Sequence, residues 1–169
     1  MSANLPTDPD GLRRAFARFP TGVAVICARG EDGTDGGMTA NAICSLSLDP
    51  LLVLICFENQ ARTLPLVESV GRFSISILPE DGHELADRFA SKIEEGEKLR
   101  GVPARDEDGV PVLEGSIAWA VCELDKTVEA GDHTIVIGEV KSLGASDGRP
   151  LVWFDGAYSS LAEINSSSA

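Results

Sequence analysis

The sequence predicts a mainly β protein: a β-barrel with peripheral α-helices, its strands antiparallel and closed or nearly closed. Three observations carry that reading. Apolar runs of strand length follow one another through hairpin-type turns, as in GVAVICA (22–28), LLVLICF (51–57) and RFSISIL (72–78). Only a few short helical segments come between them. No G-x-G-x-x-G follows a strand and no G-x-x-x-x-G-K-[ST] occurs, so a doubly wound nucleotide-binding sheet is not indicated. With 169 residues, no internal repeat and no linker, the chain (1–169) reads as a single domain.

Residues 1–6 are expected to be frayed. Thr7 or Asp8 caps a first helix, with Pro9 near its first turn and Leu12, Ala15, Phe16 and Phe19 on one face. Phe19-Pro20-Thr21-Gly22 ends it, and 22–28 is a buried strand. The Gly- and Asp-rich segment 30–37 is a hairpin loop. From Gly37 to Leu48 the even positions Met38, Ala40, Ala42, Cys44, Leu46 and Leu48 are apolar, while Thr39, Asn41, Ser45 and Ser47 stand at odd ones. Period two makes this one strand with its apolar face in the core. Asp49-Pro50 turns the chain into the buried strand 51–57. Residues 59–63 lead into a helix from Leu64 to Val70; Pro65 fits only its first turn, which makes Thr63 the N-cap. Strand 72–78 follows. Asp81-Gly82-His83-Glu84 looks like a capping box with Asp in the Ser/Thr place, opening a helix through Ala90. Residues 91–109 are expected as a short helix and a mobile loop. Strands 117–128 and 134–143 pair around residues 129–133, and 151–154 is a last short strand. The tail, 165–169, is expected to be disordered.

The formal net charge is −13, which argues against nucleic acid and anionic membrane as partners. An anionic ligand then needs a locally basic or N–H-rich site. The longest apolar run is strand-length, and the N-terminus lacks the basic-then-apolar order of a signal peptide, so a cytoplasmic protein is expected. Cys27, Cys44, Cys56 and Cys122 lie in apolar runs without metal or redox spacing and read as reduced, buried small side chains. No metal site, nucleophile elbow or paired-carboxylate site is expected.

Thr39, Asn41, Ser45 and Ser47 give the 37–48 strand a face of short, uncharged hydrogen-bonding groups. Such a face suits a ligand lying against it; an ordinary Thr/Ser-rich exposed strand has the same pattern. Arg62 and Thr63 stand at a helix start, where free N–H groups and the positive dipole end converge. That is an anion site in outline, or Thr63 is a plain cap. Arg88 and Lys92, near the end of the next helix, add positive charge there or complement that helix's own C-terminal dipole. Of the two histidines, His83 sits beside Glu84 and is expected to be exposed. His133 sits at a hairpin tip next to Asp132, as a binding residue on a rigid support or as a solvent-facing turn residue.

Taken in order, FPTGVAVI, GMTANAICSLSLDPLLVL, ARTLPLVESVGRFSISIL, DRFA, GDHTIVIGEV and PLVWFDGAYSSL resemble the short-chain flavin reductases, the reductase components of two-component flavin-dependent monooxygenases. The resemblance runs from Arg14 to Leu161. It implies an antiparallel Greek-key, FMN-binding split β-barrel that forms a homodimer. It implies hydride transfer from NADH or NADPH to FMN or FAD, and reduced flavin that diffuses to a partner monooxygenase. It places Thr39, Ala40 and Asn41 beside the isoalloxazine and ribityl, with Ser45 and Ser47 as an S-x-S pair. It puts Cys56 and Phe57 at a strand end that meets the ring edge, and Arg62 and Thr63 in a phosphate-binding connector. Phe89, Ala90, Ser91 and Lys92 match a second segment near the phosphate. His133, as the catalytic candidate, and Tyr158 shape the nicotinamide side, with His133 positioning and not donating a proton. The chain departs from the family pattern at Ala42, Ile43 and Cys44, which bear on flavin affinity and FMN-versus-FAD preference. It also departs at Leu51 and Leu99, which read as packing variation.

Hydride transfer asks for position more than for acid–base machinery, because the cofactors carry the reaction. A chain with no conspicuous catalytic residue fits that chemistry. Three other readings stand beside it: a barrel that holds flavin as an electron carrier or sensor, a flavoenzyme with tightly bound FMN acting on an organic substrate, and an interaction barrel with no cofactor.

Overall fold

The computed structural model describes residues 4–162. Its elements are α1 (Pro9–Phe16), β1 (Thr21–Gly22), β2 (Ala24–Arg29), β3 (Asp35–Ala40), β4 (Ile43–Leu48), β5 (Leu51–Glu58), α2 (Thr63–Val70), β6 (Arg72–Ile77), α3 (His83–Ala90) and α4 (Glu95–Lys98), followed by β7 (Ala104–Glu107), β8 (Val110–Leu113), β9 (Ala118–Ala130), β10 (His133–Ala145), β11 (Val152–Phe154) and β12 (Ala157–Ser159). Of the frayed start expected at 1–6, residues 4–6 are exposed and without regular structure, and 1–3 lie outside the described residues. The disordered tail expected at 165–169 lies outside them too.

Seven strands form one antiparallel sheet in the order β3-β2-β6-β9-β10-β5-β4. A small sheet, β1-β11-β12, and the hairpin β7–β8 complete the strands. The mainly β, antiparallel fold with peripheral helices expected from the sequence is what forms. No ladder joins the two edge strands β3 and β4 among the described residues, although β3 also contacts β5 beside the opposite edge. The sheet therefore brings its two ends together at the Asn41-Ala42 dipeptide that links them.

The continuous apolar run of β2 explains the core. A strand covered on both faces needs no polar alternation, and five of the six β2 residues are buried. Ala24, Ile26 and Ala28 face one cluster with Ile55, Phe57, Val67 and Phe73. Val23, Val25 and Cys27 face a second with Leu78, Phe89, Leu113 and Leu151. Helix α2 closes the first through Leu64 and Val67, and α3 closes the second through Ala86 and Phe89. Each fully buried phenylalanine contributes roughly 1.5–3 kcal/mol from apolar area removed from water. Gly71 ends α2 in the left-handed region (φ 66°), its N–H donating to the Val67 carbonyl at 2.9 Å.

Several local expectations are corrected. The run 37–48 is two strands, because the chain leaves its ladder with β2 at Ala40 and joins β5 at Ile43. Met38 and Ala40 do pack on the core, but Cys44, Leu46 and Leu48 are exposed, and a bulge between Ser45 and Ser47 breaks the alternation. Cys44 is thus not a buried thiol and Cys56 is only half-buried, whereas burial pushes the thiols of Cys27 and Cys122 up, Cys122 to about 12. Asp8 caps α1 as expected, accepting from the Gly11 N–H at 2.7 Å, yet Leu12, Phe16 and Phe19 are each more than 60% exposed. Arg62, not Thr63, is the N-cap of α2, and α3 begins after Gly82 with no side-chain cap. The expected loop within 91–109 holds β7, which pairs with β8.

Candidate functional site

A cleft of about 630 Å³ opens where four separate segments meet. The β3–β4 junction supplies Thr39, Ala40, Asn41 and Ala42. The end of β5 and its connector supply Cys56, Glu58 and Gln60 to Thr63. The end of α3 with α4 supplies Phe89 to Lys92, Glu95 and Lys98, and the tip of the β9–β10 hairpin supplies His133. The junction can lie this deep because Gly37 carries no side chain: a Cβ there would stand 2.8 Å from the Phe89 ring and 2.9 Å from the Ile26 carbonyl.

The wall groups are held from behind. Thr39 donates its hydroxyl hydrogen to the Ala86 carbonyl at 2.6 Å, which leaves its oxygen free to accept. The Asn41 amide nitrogen donates to the Thr21 hydroxyl at 3.2 Å. At the hairpin tip His133 Nδ1 meets the Asp132 carboxylate at 2.8 Å. That hydrogen bond, with the imidazole's charge behind it, holds Asp132 below the usual carboxylate range. An ionised Asp132 keeps the proton on Nδ1.

At the inner end the charges are paired with each other. Glu95 Oε2 accepts from the Gly37 N–H and from the Thr63 hydroxyl, both at 2.9 Å. Lys98 Nζ lies 2.9 Å from Glu95 Oε1 and donates to the carbonyls of Gly37 (2.8 Å) and Phe89 (3.3 Å). Oε1 is buried, and its close partner is the Lys98 ammonium, as an ion pair. Arg62 donates to the Ile93 carbonyl and stands 3.3 Å from Glu94 and 3.7 Å from Glu95. Arg88 does not serve the cleft: it donates to the carbonyls of Lys98, Glu97 and Arg100 at 2.6–2.9 Å.

Of the residues chosen from the sequence, Thr39, Ala40, Asn41, Cys56, Arg62, Thr63, Phe89, Ala90, Ser91, Lys92 and His133 line this one cleft. Ser45, Ser47, Phe57 and Tyr158 do not. Ser45 and Ser47 lie on β4 beyond the junction; Phe57 is wholly buried in the core. Tyr158 packs edge-on against Trp153 and donates its hydroxyl to Asp87 at 2.8 Å. Burial and the neighbouring carboxylate push its phenol up to about 12. Sequence reasoning missed Glu95 and Lys98. Their i,i+3 spacing was the available signal, lost in a stretch whose charge reads as solvated surface.

The profile of the flavin reductase like domain matches residues 16–162. The chain is 36% identical over 159 residues to a flavin reductase of Pseudomonas putida, covering 93% of this chain and 92% of the relative. It is 37% identical over 154 residues to the reductase component of the 4-hydroxyphenylacetate 3-monooxygenase of Thermus thermophilus, 90% of this chain and 96% of the relative. Among solved structures it superposes on the NADH:FAD oxidoreductase of Streptomyces globisporus C-1027 in complex with NAD and FAD fragments, with a TM-score of 0.86 and 30% identity over all of both chains.

Proposed function

The chain belongs to the flavin reductase-like family, and on that premise we propose that the cleft at the β3–β4 junction holds FMN or FAD and receives NADH or NADPH against it. The protein is an NAD(P)H:flavin oxidoreductase that supplies reduced flavin to a partner monooxygenase, in keeping with relatives that are reductase components. One observation carries the site assignment: segments far apart in the chain converge their short polar and cationic groups on a single cleft of ligand size.

The residues present fit a flavin. The wall at Thr39 to Ala42 has short side chains with an accepting hydroxyl and an amide, and the connector carries a guanidinium. When bound, the flavin supplies the hydride-accepting ring. The chain's residues do the rest. Thr39 and Asn41 orient that ring from the wall, and the α3–α4 segment with Ser91 and Lys92 excludes water from one side. His133, steadied by Asp132, positions the nicotinamide at the mouth without moving a proton.

We also infer a homodimer. Strand β4 is a sheet edge, and Leu46, Leu48 and Leu51 on it and its neighbour are 44–82% exposed. An apolar, unpaired edge of this kind calls for cover, and a second copy supplies it. With that cover the sheet reads as the family's split barrel. No helix among the described residues is long and apolar enough to cross a membrane, and four free cysteines suit a cytoplasmic setting. Purified protein mixed with NADH and excess FMN or FAD should oxidise NADH continuously, followed by absorbance at the nicotinamide band. Tight flavin that NADH cannot bleach would favour an electron carrier instead.

A further inference from the structure

Resting on the flavin reading above, we infer that Glu95 is a specificity-determining residue: its carboxylate fills the anion position of the cleft from within, so the protein binds a phosphate-bearing flavin hardly better than a phosphate-free one. The sequence points to Thr63, Arg62 and the start of α2 as a place for a phosphate. In the structure the side-chain donors there are taken. Thr63 is 1% exposed and has one hydroxyl hydrogen, which goes to Glu95 Oε2. The Gly37 N–H goes to the same oxygen. Lys98, 5% exposed, spends its ammonium on Glu95 and on two carbonyls of its own chain. Neither Thr63 nor Lys98 can swing to the rim, because both are packed in.

Glu95 itself is nearly enclosed, with its side chain 12% exposed. Its Oε1 is buried against the Lys98 ammonium, and the residue belongs to the cleft lining. Its charge cancels that of Lys98, so the anion position offers a phosphate neither a free side-chain donor nor an unbalanced positive charge. The remaining cations compensate little. Arg62 is drawn to Glu94, Glu95 and the Ile93 carbonyl. Lys92 is the one lining cation without an ion pair among the described residues, and it is exposed, where a single charge contributes weakly. Affinity then resides in the ring and ribityl end of the ligand. That suits a flavin which must leave to reach another protein.

The test is equilibrium binding of riboflavin and of FMN to the whole protein without NADH, read by flavin fluorescence. Wild-type protein should bind the two within about three-fold of each other. Glu95→Gln keeps the shape and an oxygen for the Gly37 and Thr63 donors. Unlike a change at Lys98, it leaves the ammonium held by the Gly37 and Phe89 carbonyls. With that positive charge no longer balanced, FMN should bind about five-fold or more tightly and riboflavin should stay within about two-fold. An FMN preference of about ten-fold or more in the wild type overturns the inference. So does a Glu95→Gln variant that shifts both ligands alike or neither. If that variant does not fold, the wild-type ratio decides alone. Wild-type protein that binds neither ligand overturns the flavin reading itself, and this inference with it.

Discussion

Residues 37–40 and 43–48 share one period-two alternation and have opposite surroundings. In the first, Met38 and Ala40 pack on the core while α3 and α4 lie against the strand, tied to it by Thr39, Glu95 and Lys98. In the second, Cys44, Leu46 and Leu48 carry the same apolar phase and face outward. Alternation guarantees that neighbouring side chains point to opposite faces. Which face is covered depends on what other elements arrive, and for the exposed face of β4 none does among the described residues. The first region is the proposed ligand wall, built from within, and the second is the edge we assign to the proposed dimer contact.

The largest expected effect breaks the wall. Lys98→Met keeps the length of the side chain but removes the ion pair with Glu95 and two hydrogen bonds that pin α4 to Gly37 and Phe89. Removing one partner of a buried pair strands the other charge, at a cost of about 3–5 kcal/mol. Urea unfolding should report that loss, and flavin affinity should fall with it. A change below about 1 kcal/mol would mean that this pair does not hold the wall, and the contrast with β4 would lose its physical basis.

The next effect lies at the edge. Replacing Leu46 and Leu48 by serine removes apolar groups that are 44% and 82% exposed in the single chain. The stability of the isolated chain should stay within about 0.5 kcal/mol per site, as for surface substitutions generally. Association should weaken by at least ten-fold, about 1.4 kcal/mol, seen by sedimentation across a range of protein concentrations. Unchanged assembly would place the dimer contact elsewhere and leave these leucines unexplained.

Those two regions also mark how far the sequence could be read. Hairpins with strong turn chemistry were legible, as were strands apolar throughout, such as β2. The pair β7–β8 was not, although Asp108-Gly109 at its turn has both φ angles positive (50° and 85°), the signature of a tight hairpin. The charged run Ala104–Glu107 masked it, because a strand whose charges pair across the fold looks like a loop in isolation: Arg105 lies over the Trp119 ring, and Asp106 meets Arg29. Helix α1 was legible as an amphipathic helix, but its apolar face has no cover from the described residues. In the site, Arg62 and Thr63 could be named from a helix start. Glu95 and Lys98 could not, since charge in a sequence carries no sign of burial, and only the packing of α4 on β3 brings them together.

The hairpin tip, which joins the lining through His133, should yield the smallest and most selective effect. His133 is half-buried in the same lining as the groups assigned to the flavin, paired with Glu58 at the end of β5. His133→Ala should raise the NADH KM about five-fold, the equivalent of one hydrogen bond of about 1 kcal/mol. Flavin affinity should hold within about two-fold, because the wall is untouched. Equal losses for both ligands would move His133 to the flavin side. Asp132→Asn should act in the same direction and more weakly, since the amide oxygen still accepts from Nδ1 but without charge. The pH sign follows from the lowered carboxyl of Asp132, whose first cause is the His133 hydrogen bond. A depressed folded value makes the contact complete above the ordinary aspartate range, near pH 4, and lost as the pH falls through the depressed value. Wild-type protein should therefore show an acid limb in NADH KM below about pH 4, provided the fold persists there by circular dichroism. Asp132→Asn should lack it, since its amide does not titrate.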